Sequence, residues 1–161
     1  MLLKLVASEN QGVKPTYKSL ADSLGMSASE AHASVQRCAR AGLCRLEPRS
    51  TNRKALLEFL LHGLKYAFWP ERGAITRGFP TAHAAPPLSG KFGSVEMPPV
   101  WPDPSGPVRG ECFRPLHKSA TRVAKDDPAT YALLALADAV RGGRARERQL
   151  AEEELRARLG P

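Results

Sequence analysis

The sequence predicts a mainly α-helical protein built from three parts. Two short helices joined by a glycine turn occupy the first third, a stretch rich in proline and glycine follows, and helical periodicity returns near the C-terminus. The corresponding boundaries are residues 1–67, 68–126 and 127–161. With 161 residues and 42% hydrophobic composition, the chain is long enough to bury a core.

The first two helices are short and amphipathic. Residues 1–8 are predicted to form one, and residues 9–12 a loop. Thr16 can cap the next helix, because its hydroxyl can accept a hydrogen bond from an unpaired amide. On that helix Ala21 is small enough to let a crossing helix approach closely. The inward faces are predicted at Leu2, Leu5, Val6, Leu20, Ala21 and Leu24.

A third helix follows after a tight turn. Gly25 can adopt the positive φ that ends a helix, and Ser27 with Glu30 forms a Ser-x-x-Glu capping box. The buried face is predicted at Ala31, Val35 and Cys38. Residues 41–43, Ala-Gly-Leu, end the helix, and residues 43–47 are predicted to form a strand.

The outer face of the third helix has the side chains of a DNA-reading surface. Two helices crossing at a tight turn place the second helix in the major groove. Gln36 can pair with adenine, and Arg37 with guanine or phosphate. The alternative is an ordinary helical hairpin with a solvated face. The predicted DNA-binding residues are Lys14, Lys18, Ser27, Ser29, His32, Ala33, Gln36, Arg37, Arg40, Arg45, Arg49, Arg53 and Lys54.

The charge distribution is consistent with an anionic partner for this part of the chain. The formal net charge is +8. Residues 1–66 hold ten lysines and arginines against five acidic residues, whereas residues 127–161 are balanced. A basic surplus favours double-stranded DNA, although it can also serve solubility alone.

Residues 17–27 and 41–43 resemble the helix-turn-helix of winged-helix transcriptional regulators, the MarR type in particular. The resemblance covers the first third of the chain. It implies a homodimer that binds an inverted-repeat operator. The predicted function is therefore transcriptional regulation by sequence-specific binding of double-stranded DNA, with a dimeric repressor expected. The resemblance also implies a β-hairpin wing, but residues 48–54 lead directly into a helix, so the wing is predicted to be short or incomplete. Arg49, Arg53 and Lys54 are candidate phosphate contacts there.

Residues 53–67 form a strong helical signal with apolar side chains around most of the circumference. Such a helix must be covered on more than one side. It is predicted to be either a spine of the core or part of a dimer interface.

The middle segment is predicted to be ordered but irregular. Ten of the fourteen prolines lie between residues 70 and 115, which excludes long helices. The same segment has too many large apolar side chains for a free linker, so we expect short strands packed on the helices, with a disordered linker as the alternative. Arg72, Thr76 and Arg77 are candidate contacts for an anion or partner, or for acidic residues of this chain.

Two helices are predicted at the C-terminus. Asp127 is a suitable N-cap and Pro128 a suitable first residue. The helix ends near Arg141, the pair Gly142-Gly143 breaks it, and residues 144–159 form the second helix. This last helix has a thin apolar face, so we expect it to pack on its neighbour, on a second subunit or on a partner protein.

No pattern for catalysis appears. The four histidines lack metal-ligand spacing, and there is no Gly-x-Ser-x-Gly elbow, so we expect no enzyme activity, metal or cofactor. The three cysteines are an odd number and form no Cys-x-x-Cys pair, which predicts reduced thiols in the cytoplasm. No apolar run is long enough to span a membrane. The alternative function is a protein-interaction module, such as an antitoxin-like or accessory subunit that covers a partner.

Overall fold

The structure, a computed structural model, describes residues 1–93 and 96–160. A π-helical turn lies at Phe59–Gly63, and a 3-10 turn lies at Ala82–Ala84. The predicted helix-rich class is confirmed, with a small sheet added. The helices are α1 (Leu2–Asn10), α2 (Tyr17–Leu24), α3 (Ala28–Arg40), α4 (Arg53–Glu58), α5 (Leu64–Ala67), α6 (Ala120–Asp126), α7 (Pro128–Gly142) and α8 (Ala145–Leu159). The strands are β1 (Arg72–Pro80), β2 (Pro99–Pro102) and β3 (Val108–Phe113).

The predicted start signals of α2 and α3 are confirmed. The Thr16 hydroxyl accepts a hydrogen bond from the Ser19 amide at 3.1 Å. At α3 the Ser27 hydroxyl accepts from the Glu30 amide at 3.1 Å, and the Glu30 carboxylate accepts from the Ser27 amide at 2.7 Å. Between the helices Gly25 has a φ of 62°, which a residue with a side chain adopts only under strain.

The strand predicted over residues 43–47 is wrong. A single antiparallel bridge joins Cys44 to Thr51, and the chain turns back between them. The amide of Arg45 donates to the Ser50 carbonyl at 2.7 Å, and Arg49 sits in the turn with a φ of 58°. The amide of Asn52 also donates to the Leu43 carbonyl at 2.9 Å, so the pairing consists of one bridge with its flanking hydrogen bonds. We call residues 44–51 the return loop.

A small core holds α1, α2 and α3 together. It consists of buried side chains from these helices and from the return loop. Cys38 was predicted to be buried but is only half-buried, at the edge of this core. The buried members are Leu5, Leu20, Ala21, Ala31, Val35 and Cys44.

A larger core is shared by segments far apart in the sequence. Leu3 of α1 and Leu60 of the π-helical turn pack with Leu136 of α7 and Leu155 of α8. The helical stretch 53–67 therefore lies in the core, one of its two predicted locations. Helix α8 packs on α7 through Ala151 and its neighbours, which confirms the first of the three packings predicted for it.

Over the described residues 68–93 and 96–126, the middle segment contains three strands, and each of them pairs with the other two. Strand β1 runs antiparallel to both β2 and β3, which are parallel to each other. Glycine permits this closure: a Cβ on Gly78 would collide with the Trp101 carbonyl, and one on Gly110 with the Pro98 carbonyl.

A buried polar cluster fastens the sheet to α7. The Asp138 carboxylate accepts hydrogen bonds from Thr81 Oγ1 at 2.8 Å, Trp101 Nε1 at 2.6 Å and Arg141 Nε at 2.8 Å. Burial raises the pKa of Asp138, while the Arg141 charge and the three donors oppose that rise. Arg141 also donates to the Phe68 and Trp69 carbonyls at 3.3 Å each, so one ion pair ties α7 to three other segments.

Candidate nucleic-acid interface

The outer stripe of α3 is formed by Ser29, Ala33, Gln36 and Arg40. These residues recur every three or four positions and lie opposite the buried Ala31. Ser29 and Arg40 are exposed, and Ala33 and Gln36 are half-buried. The structure thus places four predicted DNA-binding residues on one accessible line of the helix.

A stacked cluster borders one side of the outer stripe. The rings of His32 and Tyr17 meet edge to face with centroids 5.0 Å apart, and the Arg49 guanidinium lies 5.0 Å from the Tyr17 centroid. Arg49 Nε also donates to the Pro15 carbonyl at 3.1 Å. The return loop is therefore anchored to the start of α2, and His32 and Arg49 both contact the Tyr17 ring.

Arg37 lies on the other side of the outer stripe. Its guanidinium donates to the Ser34 hydroxyl at 3.0 Å. Both residues border an apolar groove that Met26 and His117 also line. Arg37 is exposed and flanks the outer stripe on the side away from His32, one turn after Ala33.

The other predicted basic contacts divide into exposed and internally paired side chains. Lys14, Lys18, Arg45 and Lys54 are exposed. In contrast, Arg53 pairs with the Glu9 carboxylate at 3.2 Å and donates further hydrogen bonds to the Asn10 side chain and the Arg158 carbonyl. Its guanidinium connects α4 to α1 and to the end of α8.

The electrostatic surroundings of α3 are basic. Between residues 14 and 54, eight lysines and arginines outnumber the three acidic residues, Asp22, Glu30 and Glu47. Hydrogen bonds from the backbone and side chain of Ser27 lower the pKa of Glu30. The acid nearest the start of α3 is thus engaged in capping.

The anion contact considered for β1 does not assemble. Arg72 pairs with Glu111 and donates to the Gly142 carbonyl at 3.0 Å. Arg77 donates to the Gly106 carbonyl at 3.3 Å, and the Thr76 hydroxyl donates to the Arg77 carbonyl at 3.4 Å. The three side chains make separate contacts, and the pairing of Arg72 with an acid of its own chain is the alternative that holds.

Sequence reasoning missed α6, which lies beside the turn between α2 and α3. Arg122 Nη1 is 3.2 Å from the position that a Cβ on Gly25 would occupy. The positive charge of Lys118 contributes to lowering the pKa of Glu30. Lys118 follows Glu30 by 88 residues and Arg122 follows Gly25 by 97, so no local pattern reveals their proximity.

Comparison with known proteins returned no matching family model, curated protein or solved structure. The functional assignment therefore depends on the geometry of this chain. Within residues 1–93 and 96–160, no group of three or more His, Cys, Asp or Glu side chains is arranged to hold a metal ion. Across the same residues, none of the helices combines the length and apolarity needed to cross a membrane.

Proposed function

We propose that this protein is a sequence-specific regulator of transcription that binds double-stranded DNA, acting as a dimeric repressor of the winged-helix, MarR-like type. The observation that carries the proposal is the accessible outer stripe of α3 beside a capped, glycine-containing turn. That arrangement lets a helix enter the major groove with its N-terminal half nearest the bases.

The positions of the side chains along α3 suggest separate roles. Ser29 and Ala33 lie in the first half of α3, and Ala33 is apolar enough to contact a thymine methyl group. Gln36 has the donor and acceptor pair that matches adenine. Arg40 lies near the end of α3 and neutralises phosphate, which orients the protein without reading sequence.

The surroundings of α3 supply further phosphate contacts. Lys14, Lys18, Arg45 and Lys54 are exposed cations, and Arg49 is held in place by Tyr17 and Pro15. Arg37 lies beside the outer stripe and serves phosphate better than a base edge. Arg53 is left out, because its guanidinium already has three partners within the chain.

An exposed aromatic segment supports self-association. Tyr66, Phe68 and Trp69 are 75%, 49% and 66% exposed at the end of α5. Clustered exposed apolar side chains mark interaction surfaces, and a homodimer would cover them while presenting two copies of α3. The same observation favours the second candidate function, a module that covers a different protein.

A gel-shift competition tests the proposal. Genomic fragments retained by the purified protein are labelled and challenged with random duplex at physiological salt. Gln36→Ala is expected to weaken binding to the retained fragments more than to random duplex, whereas Gln149→Ala on α8 leaves both unchanged. Equal weakening on every sequence contradicts base reading by α3.

Light scattering on the purified protein separates the two candidate functions. A homodimer that shifts selected DNA without another chain supports the regulator. A stoichiometric second chain that co-purifies, together with no selective shift by the isolated protein, supports the interaction module.

A further inference from the structure

Helix α6 has one charged face, which also carries the exposed Asp126 one turn from Arg122, and one buried face. Arg122 and Lys125 are three residues apart on α6, so they lie on one side of the helix, and Lys118 lies in the turn that precedes it. Arg122 and Lys125 are exposed, as is Lys118. On the opposite side Ala120 and Val123 are each 1% exposed. We call the three basic residues the α6 stripe.

One end of the α6 stripe adjoins the start of α3. Arg122 packs against Gly25 in the turn. Its Nη1 atom lies 3.2 Å from the position that a Cβ on Gly25 would occupy. Lys118 is close enough to Glu30, in the first turn of α3, to help lower the pKa of that carboxyl group. The stripe therefore continues the surface that α3 presents, on the side of its N-terminus.

The other end of the α6 stripe reaches the sheet. Lys125 Nζ lies 5.3 Å from the centroid of the Phe79 ring and 3.3 Å from the Asp103 carboxylate. That carboxylate also accepts hydrogen bonds from the side chain and backbone of Ser105, which lower the pKa of Asp103 to about 2. Lys125 thus shares its acidic partner with Ser105.

The sheet itself carries a like-charged pair. Arg77 of β1 and Arg109 of β3 are direct neighbours in the antiparallel register, and both are exposed. Like charges placed opposite each other destabilise a sheet. In the described part of the chain, neither arginine forms an ion pair, and neither do Lys118 and Arg122. Within the described residues, Arg77, Arg109 and Arg122 have no ion-pair partner, and the carboxylate near Lys118, that of Glu30, is engaged in capping α3.

We propose that the α6 stripe, extended by Arg77 and Arg109, is a second contact surface for the phosphate backbone of the duplex that α3 enters. The inference rests on the proposed function. The cations of this surface outnumber its acidic side chains, so the phosphate backbone supplies a negative partner for them, and the surface adjoins the α3 N-terminus. Because the return loop has a single bridge, it extends only a short way from α3. Contacts from the α6 stripe lengthen the stretch of duplex that the protein touches on that side of α3.

Salt-dependent binding tests this surface. The triple variant Lys118→Gln, Arg122→Gln, Lys125→Gln is compared with Arg144→Gln, Arg146→Gln, Arg148→Gln, which removes the same charge from α8 and its N-cap residue. Fluorescence anisotropy gives the affinity for a retained genomic fragment between low and physiological salt. Each lost phosphate contact is expected to flatten the plot of log K against log salt by about 0.9, hence by about 2 to 3 for the α6 variant.

The sheet arginines provide a second variant that does not depend on the folding of the first. Arg109→Gln removes the like-charged pair, so it is expected to raise Tm while it lowers affinity for DNA. A merely structural residue would not combine these two effects. Sequence preference is expected to be unchanged in both variants, because phosphate contacts carry no base information.

The outcomes distinguish the two proposals. One outcome overturns the second surface: the wild type binds retained fragments selectively, and the α6 and α8 variants either lose affinity equally or both keep it. Base recognition by α3 is then unaffected. If the wild type shows no preference for any duplex, the proposed function falls and the second surface with it.

Discussion

Trp101 on β2 donates its indole N–H to the Asp138 carboxylate on α7 across 2.6 Å, and both side chains are 1% exposed. The contact joins the sheet to a helix that is distant from it in the sequence. Arg141, one turn further along α7, balances the buried charge at 2.8 Å. The cluster therefore fixes how the middle segment sits on the helical core.

Removal of the Asp138 carboxylate is expected to destabilise the fold strongly. Asp138→Ala leaves the Arg141 guanidinium buried without its counter-charge, which costs about 3–5 kcal/mol. Urea unfolding followed by circular dichroism measures the change. Glu153→Ala, on the exposed side of α8, is the control and is expected to change the free energy of unfolding by less than about 0.5 kcal/mol. Equal changes in the free energy of unfolding for Asp138→Ala and Glu153→Ala would contradict a stabilising role for the buried cluster.

The turn between α2 and α3 is expected to reject a side chain. Gly25→Ala forces a residue with a Cβ into the left-handed region, which costs about 1–2 kcal/mol, and it also displaces Arg122. Gly90→Ala is the matched control, since its Cβ would meet no atom within 4 Å. Thermal unfolding compares the two variants. A Gly25 variant as stable as the control would rule out the strained turn.

Asp127 is expected to make the stability depend on pH. Burial opposes ionisation of this N-cap, but hydrogen bonds from Lys4 and Thr130 outweigh it and lower its pKa below the ordinary 3.8. A group whose pKa is lower in the folded state contributes stability above its unfolded pKa, and this contribution is lost as the pH falls through the folded pKa. Asp127→Asn keeps a capping side chain, so it isolates the charge.

The measurement is the difference in unfolding free energy between wild type and Asp127→Asn at about pH 6 and about pH 2. The wild type is expected to be more stable at the higher pH, and the difference is expected to shrink at the lower one. A difference that stays constant across this range would contradict the role of the Lys4 pair.

Much of the helical layout is predictable from sequence because its signals are local. Helix caps form at Thr16, Ser27 and Asp127 through contacts that span three residues. At position 25 the presence of glycine is enough to indicate a turn. Likewise, the outer face of α3 follows from helical periodicity once the buried Ala31 is placed.

The remaining features depend on contacts between distant segments. Helix α6 has only one apolar turn, too little for a periodic signal. The first four residues of β1 are all exposed, so they lack the alternation that marks a strand. The pairing of Arg53 with Glu9 crosses 44 residues, and nothing near Arg53 indicates it.

Arg53 and Lys54 offer a comparison between a structural and a DNA-facing cation. Arg53→Ala breaks hydrogen bonds to Glu9 and Asn10 and is expected to lower the free energy of unfolding by about 1–3 kcal/mol. Its slope of log K against log salt is expected to stay unchanged. Lys54→Ala is expected to leave stability unchanged and flatten that slope by about 0.9. A flatter slope and unchanged stability for Arg53→Ala would instead show that Arg53 contacts DNA.

Selection from a random duplex library, followed by sequencing, tests the central claim most directly. If the outer stripe of α3 reads bases, the wild type enriches a defined motif. Gln36→Ala then loses preference at one or two positions and retains the others, while Gln149→Ala recovers the wild-type motif. An unenriched library with the wild type, or an identical motif from wild type and Gln36→Ala, would contradict base reading by α3.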